Sequence, residues 1–145
     1  MRIAAIAAIV MLAGPVGCGD DDDGSASSPV AASELTITLD PDGPQGDGPA
    51  QVAELSCPGA NAPPAACDAI DGLPENATDP VPPATACTQV YGGPDLVTIE
   101  GKIEGEEIDT GLTRTDGCEI ERFEHFVPLL EVLFPDYEPG AALGP

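Results

Sequence analysis

Leu96-Val97-Thr98-Ile99-Glu100-Gly101-Lys102-Ile103-Glu104-Gly105-Glu106-Glu107-Ile108-Asp109-Thr110-Gly111-Leu112-Thr113-Arg114 is the stretch on which the fold turns. Leu96 to Glu100 reads as a buried strand and continues through Lys102-Ile103-Glu104. Gly105 marks a turn, and Glu107 to Arg114 returns as the partner of a hairpin. Upstream, Glu34-Leu35-Thr36-Ile37-Thr38-Leu39 alternates apolar with polar residues, the pattern of a strand with one buried face. Asp40-Pro41-Asp42-Gly43-Pro44 stops that strand, and a Gly/Pro/Asp mixture runs on as loop to Pro49. Ala50 to Ser56 supplies a second strand whose larger apolar residues are Val52 and Leu55. It does not alternate cleanly, which predicts an edge placement or a bulge. Ala65 to Ile70 suits one or two helical turns after Pro63 and Pro64. Leu73 to Ala84 reads as Pro-rich loop, Cys118 to Glu124 as a short helix, and Phe126 to Phe134 as a last apolar segment interrupted at Pro128. These elements predict an α+β domain: a small antiparallel sheet of about five strands with two short helices.

Composition bounds what such a domain can do. In 145 residues there are 26 Asp and Glu against four Lys and Arg, a formal net charge of −22. Nucleic-acid binding draws its affinity from Lys and Arg that neutralise phosphates, so no nucleic-acid partner is expected. Electrostatic docking on anionic lipid is disfavoured for the same reason. Tryptophan is absent, and 17 glycines and 17 prolines leave a thin core, the kind that covalent staples commonly support.

The N-terminus reads as an export signal over residues 1–17. Met1-Arg2 is a minimal basic start, and the apolar run from Ile3 to Ala13 falls short of the roughly 20 residues that span a bilayer. Small residues then lead into Cys18, in a pattern that resembles the bacterial lipoprotein processing site. Acylation of Cys18 is the expectation, so that a membrane is touched only through that lipid. Residues 18–32, with Asp20 to Asp23 and a Ser-rich stretch, have no apolar periodicity and read as a disordered acidic tether. The folded domain is expected over 33–135, with a disordered tail over 136–145.

Setting Cys18 aside leaves Cys57, Cys67, Cys87 and Cys118, an even set in an exported protein. Four cysteines allow three connectivities. If neighbours pair, the loop-entropy model assigns about 3 kcal/mol to the shorter loop and about 3.5–4 kcal/mol to the longer. Zinc is disfavoured because there is no C-x-x-C pair and His125 is the sole histidine. Asp40, Asp42 and Asp47 lack the spacing and distal Glu of a calcium loop and read as turn residues. No Gly-rich phosphate loop and no Gly-x-Ser-x-Gly turn is present. The expectation is a non-enzyme without metal or cofactor.

Cys87-Thr88-Gln89-Val90-Tyr91-Gly92-Gly93-Pro94, leading into Leu96-Val97-Thr98-Ile99-Glu100-Gly101, resembles the reactive loop and following strand of the Streptomyces-type subtilisin inhibitor family. The opening Leu-Thr-Ile-Thr-Leu strand, the strand ending in Cys57-Pro58, Ala65-Ala66-Cys67 and Cys118-Glu119 are similar in order to that family's marks. The resemblance spans roughly Glu34 to Phe126. It implies the pairs Cys57–Cys67 and Cys87–Cys118, a subtilisin-like serine protease as partner, and a possible homodimer through the sheets. The protease-binding loop it implies is Ala86, Cys87, Thr88, Gln89, Val90 and Tyr91, with Gln89–Val90 as the bond presented for cleavage. Gln89 would enter the primary pocket, and Ala86, Cys87 and Thr88 would lie along the enzyme as an added strand. Gln89 stands where many relatives carry Met or Lys, and the pair Gly92-Gly93 adds a residue that is expected to loosen the loop. The competing expectation is an envelope structural or interaction lipoprotein that keeps the scaffold without inhibition.

Overall fold

A computed structural model describes residues 32–141. The expected export signal, the expected acylation site Cys18, the expected tether up to residue 31 and residues 142–145 lie outside that range. Strand β1 spans Ser33–Asp40, β2 Gln51–Cys57, β3 Gly93–Ile103 and β4 Glu106–Arg114; helix α1 spans Pro64–Asp71 and α2 Gly117–Leu133. The strands form one sheet in the order β2-β1-β3-β4, every neighbouring pair antiparallel. The described fold is therefore α+β with four strands, where the sequence pattern had indicated about five.

Alternation along β1 sends Leu35, Ile37 and Leu39 to one face, each buried. The register brings Ile37 opposite Ile99, and Ile99 opposite Thr110, so the buried positions of successive strands line up. Both helices cover that face. Ala66 and Ile70 come from α1; Phe123, Phe126, Leu129 and Leu130 come from α2. β2 occupies the sheet edge, as its broken alternation predicted. The irregularity in the sheet sits elsewhere, as a register shift between Gly93 and Leu96 of β3. The hairpin joining β3 to β4 turns on Glu104 and Gly105, whose φ values of 51° and 85° are the left-handed pair of a two-residue turn.

Two helical expectations change. Helix α1 begins at Pro64, where a missing N–H costs nothing. Helix α2 is a single element of 17 residues that runs through Pro128 instead of stopping there. Asp116 caps it, its carboxylate accepting from the N–H of Cys118 at 2.9 Å and of Glu119 at 3.1 Å. An interior proline costs a helix about 3 kcal/mol. Each large apolar side chain taken out of water returns about 1.5–3 kcal/mol. Phe126 precedes the proline and Leu129 and Leu130 follow it, all three almost fully buried, so packing decides the matter.

The tail expectation also changes for residues 136–141. Tyr137 is buried, and its hydroxyl donates to Asp95 Oδ1 at 2.8 Å. The Gly140 N–H donates to the same oxygen at 3.1 Å. A Pro- and Gly-rich segment without periodicity carries no sign of such an attachment, because the attachment depends on one ring and one distant carboxylate.

Candidate functional site

Between α1 and β3 the chain passes Ala86 to Gly92 without regular structure. Ala86, Thr88, Gln89, Val90 and Tyr91 are exposed, and Cys87 is half-buried. Val90 and Tyr91 are 57% and 52% exposed, and Val52 on the edge strand β2 is 62% exposed, while most other large apolar side chains of the described residues face the core. Two adjacent apolar side chains on an uncharged loop give it a small apolar surface that a partner could cover.

The loop is held at both ends by one corner of the fold, where β4 gives way to α2. On the upstream side Cys87 is bonded to Cys118 in the first turn of α2, with Cα atoms 5.4 Å apart. The Gly117 N–H donates to the Thr88 carbonyl at 2.9 Å. Gly117 lets the two segments approach closely, since a Cβ there would overlap the Thr88 hydroxyl and force that exposed side chain to turn. On the downstream side the Gly92 N–H donates to the Arg114 carbonyl at 2.7 Å, and Arg114 Nε donates to the Gly92 carbonyl at 3.1 Å. Only Gln89, Val90 and Tyr91 stand between the two clamps. The Gln89 side chain touches the Cys87 carbonyl at 3.5 Å, a weak contact that costs little to break.

Gly92 and Gly93 both lie against Arg114. Gly92 is clamped by Arg114, and Gly93 is buried and opposite Arg114 at the start of β3. Gly93 has a φ of 138° and lies so close to the Asp95 carboxylate that a Cβ would collide with it.

Arg114 is the residue at this corner that the sequence reading missed. Its guanidinium pairs with Glu124 at 2.8 Å, lies 5.1 Å from the centre of the Phe123 ring and comes within 4.0 Å of Asp95. Asp95 is almost completely buried, and its Oδ2 accepts no hydrogen bond among the described residues. Burial and the hydrogen bond to Asp95 push the Tyr137 hydroxyl far above its ordinary pKa, with Asp95's charge adding to that rise and Arg114 opposing it. The available signal in the sequence was scarcity: a base among so few is worth asking what it holds.

Cys67 is bonded to Cys57, tying the end of β2 to α1 away from the loop. Cys87, Asp116 and Cys118 bring their donor atoms together. The two sulfurs are bonded to each other and the carboxylate caps α2, which makes the cluster a staple rather than a ligand set. His125 is exposed on α2. A groove of 520 Å³ lies between the loop after α1 and the β3–β4 turn, with acids such as Asp71, Glu75 and Glu104 at its edge and Ile70, Ile103 and Ile108 lining it.

No protein-family model matches the sequence, and no curated protein matches it. Among solved structures, the crystal structure of Streptomyces caespitosus sermetstatin in complex with Bacillus licheniformis subtilisin is similar at 23% identity. The likeness covers 68% of this chain and 96% of that one, with a TM-score of 0.39.

Proposed function

We propose that this protein inhibits subtilisin-like serine proteases by presenting Gln89–Val90 as a substrate-like bond. The observation that carries this reading is the three-residue arch, exposed at its centre and clamped on both sides by a single rigid corner. The resemblance of Cys87 to Pro94 to the Streptomyces-type inhibitor loop supports the same reading. Ala86, Cys87 and Thr88 form the strand offered to the enzyme, Gln89 fills its primary pocket, and Val90 and Tyr91 face the leaving side.

The chemistry of such a loop differs from that of a substrate only after the first step. The protease serine oxygen attacks the Gln89 carbonyl carbon, the Gln89–Val90 C–N bond breaks, and the Val90 nitrogen takes up a proton as it leaves. Gln89 is then held as an ester on the serine. The clamp at Gly92 keeps the new amine beside that ester at high effective concentration, so re-formation of the peptide competes with attack by water. Because the clamps set the loop's shape before docking, little conformational freedom is lost on binding. Two disulfides suit an oxidising compartment, in keeping with export. Acylation at Cys18 would place the inhibitor at the cell envelope.

Titration of subtilisin with the purified protein tests the proposal. Inhibition at micromolar concentration or below is expected, with slow cleavage confined to Gln89–Val90. Replacing Gln89 with Met is expected to strengthen inhibition, since an apolar side chain fills an apolar pocket better, and replacing it with Pro to abolish it. Neither inhibition nor cleavage at that bond would leave a scaffold used for another interaction.

A further inference from the structure

We infer that the segment following α2 is a strap on the leaving side of the loop, with Asp95 and Arg114 as positioning residues that carry its hold to Gly92. This inference rests on the inhibitory reading of the loop. The contacts form an unbroken series. Tyr137 Oη and Gly140 N both donate to Asp95 Oδ1, at 2.8 and 3.1 Å. Asp95 Oδ2 faces Arg114 Nε at 4.0 Å, and that nitrogen gives its hydrogen to the Gly92 carbonyl. Gly140 also packs on the loop directly: with a φ of 77°, it lies where a Cβ would come within 2.7 Å of the Gly92 oxygen. Gly93, between the loop and the carboxylate, approaches the Gly140 Cα so closely that its own Cβ would sit 3.1 Å away. Strap, carboxylate and loop meet at a point.

Stability alone is a poor reason for this arrangement. A buried carboxylate with one oxygen lacking a hydrogen bond is costly, and apolar side chains of the same volume often replace such ion pairs without loss. What a carboxylate supplies and a Leu would not is a negative charge 4.0 Å from Arg114 Nε, which attracts the guanidinium on the side where it meets Gly92. Gly92 lies three residues beyond Gln89 and belongs to the downstream segment that must stay in place while the loop is an acyl-enzyme. Whether that segment remains or drifts decides between resealing and hydrolysis. The strap therefore governs how fast the loop is lost as a cleaved product, and has less effect on how tightly it first binds.

The experiment compares the full chain with Asp95→Asn and Tyr137→Phe variants by three readouts: amide exchange at Gly92 and Gly117, denaturant unfolding, and the rate at which subtilisin accumulates chain nicked at Gln89–Val90. Loss of a hydrogen bond to a charged group is expected to speed exchange at Gly92 about ten-fold relative to Gly117, whose partner Thr88 lies on the other clamp. Nicking is expected to accelerate by a similar factor while the initial inhibition constant changes little. Equal acceleration at Gly92 and Gly117, in step with global stability, would reduce the strap to general support and overturn the inference. Selective loosening of Gly92 without faster nicking would overturn it too. If subtilisin leaves the unaltered protein unbound and uncut, the inhibitory reading fails, and the exchange data still decide whether the strap holds Gly92. Tyr137→Phe removes one hydroxyl and keeps the ring, so it carries the comparison should Asp95→Asn fail to fold.

Discussion

Tyr137 gives the attachment of the strap a signature in pH. Its hydroxyl lies among Asp95, Arg114 and Glu124. Burial, then the hydrogen bond and charge of Asp95, hold its folded-state pKa far above the ordinary 10.0, with Glu124 adding and Arg114 subtracting. The sign follows from linkage: above pH ~10 the unfolded chain loses this proton while the folded chain keeps it, so stability is complete below that pH and falls as pH rises past it. Unfolding free energy measured by denaturant titration is expected to decline on that alkaline limb, and Tyr137→Phe to flatten the decline. An alkaline slope unchanged in the variant would show that the hydroxyl is not held as described. The sequence offered Tyr137 only as an aromatic in a Pro- and Gly-rich ending, because its partner Asp95 is 42 residues away. Asp116 carries a local signal that the sequence reading left unused. An Asp followed three residues later by Glu119 is a helix-start signal, and it stands where the cap is found.

The elements that could be read from the chain are those whose signal is local. Alternation in Leu35 to Leu39, the Glu104-Gly105 turn and the prolines before α1 each state their structure within a few residues. The misreading of α2 came from a conflict between a local rule and a distant one. Pro128 forbids a hydrogen bond inside the helix, whereas Phe126, Leu129 and Leu130 call for a continued helical face against a sheet that the local sequence does not mention. Pro128 is exposed, so restoring the N–H leaves the packing untouched. Pro128→Ala is therefore expected to raise unfolding free energy by about 1–3 kcal/mol, read as a higher denaturant midpoint at constant slope. A destabilised variant would mean that the proline fits a bend the helix needs. The loop shows the same division at its own scale: Cys87 and Pro94 stand out in the sequence, while the clamp on Gly92 depends on Arg114, a residue that only the pairing of β3 with β4 brings near.

For the molecule as a whole, the two disulfides share one chemistry and perform separate tasks. Cys57–Cys67 joins the end of β2 to α1, and Cys87–Cys118 joins the loop to α2. Loop entropy gives them similar weight, about 3 and about 3.5–4 kcal/mol, a large share of the roughly 5–15 kcal/mol that holds a domain folded. Stability measurements alone would hardly distinguish them, and inhibition should. With both cysteines of a pair replaced by Ser, at a temperature where each variant remains folded, loss of Cys57–Cys67 is expected to leave subtilisin inhibition near its original strength. Loss of Cys87–Cys118 is expected to turn the loop into an ordinary substrate, cleaved at Gln89–Val90 without resealing, because the upstream clamp then rests on the single Gly117–Thr88 hydrogen bond. The comparison must be made at matched ionic strength, since a chain of net charge −22 repels itself and salt screens that repulsion in every variant. Equal loss of inhibition in the two variants would mean that the loop takes its shape from global stability. Unequal loss would locate the inhibitory property in the corner formed by Arg114, Gly117 and Cys118.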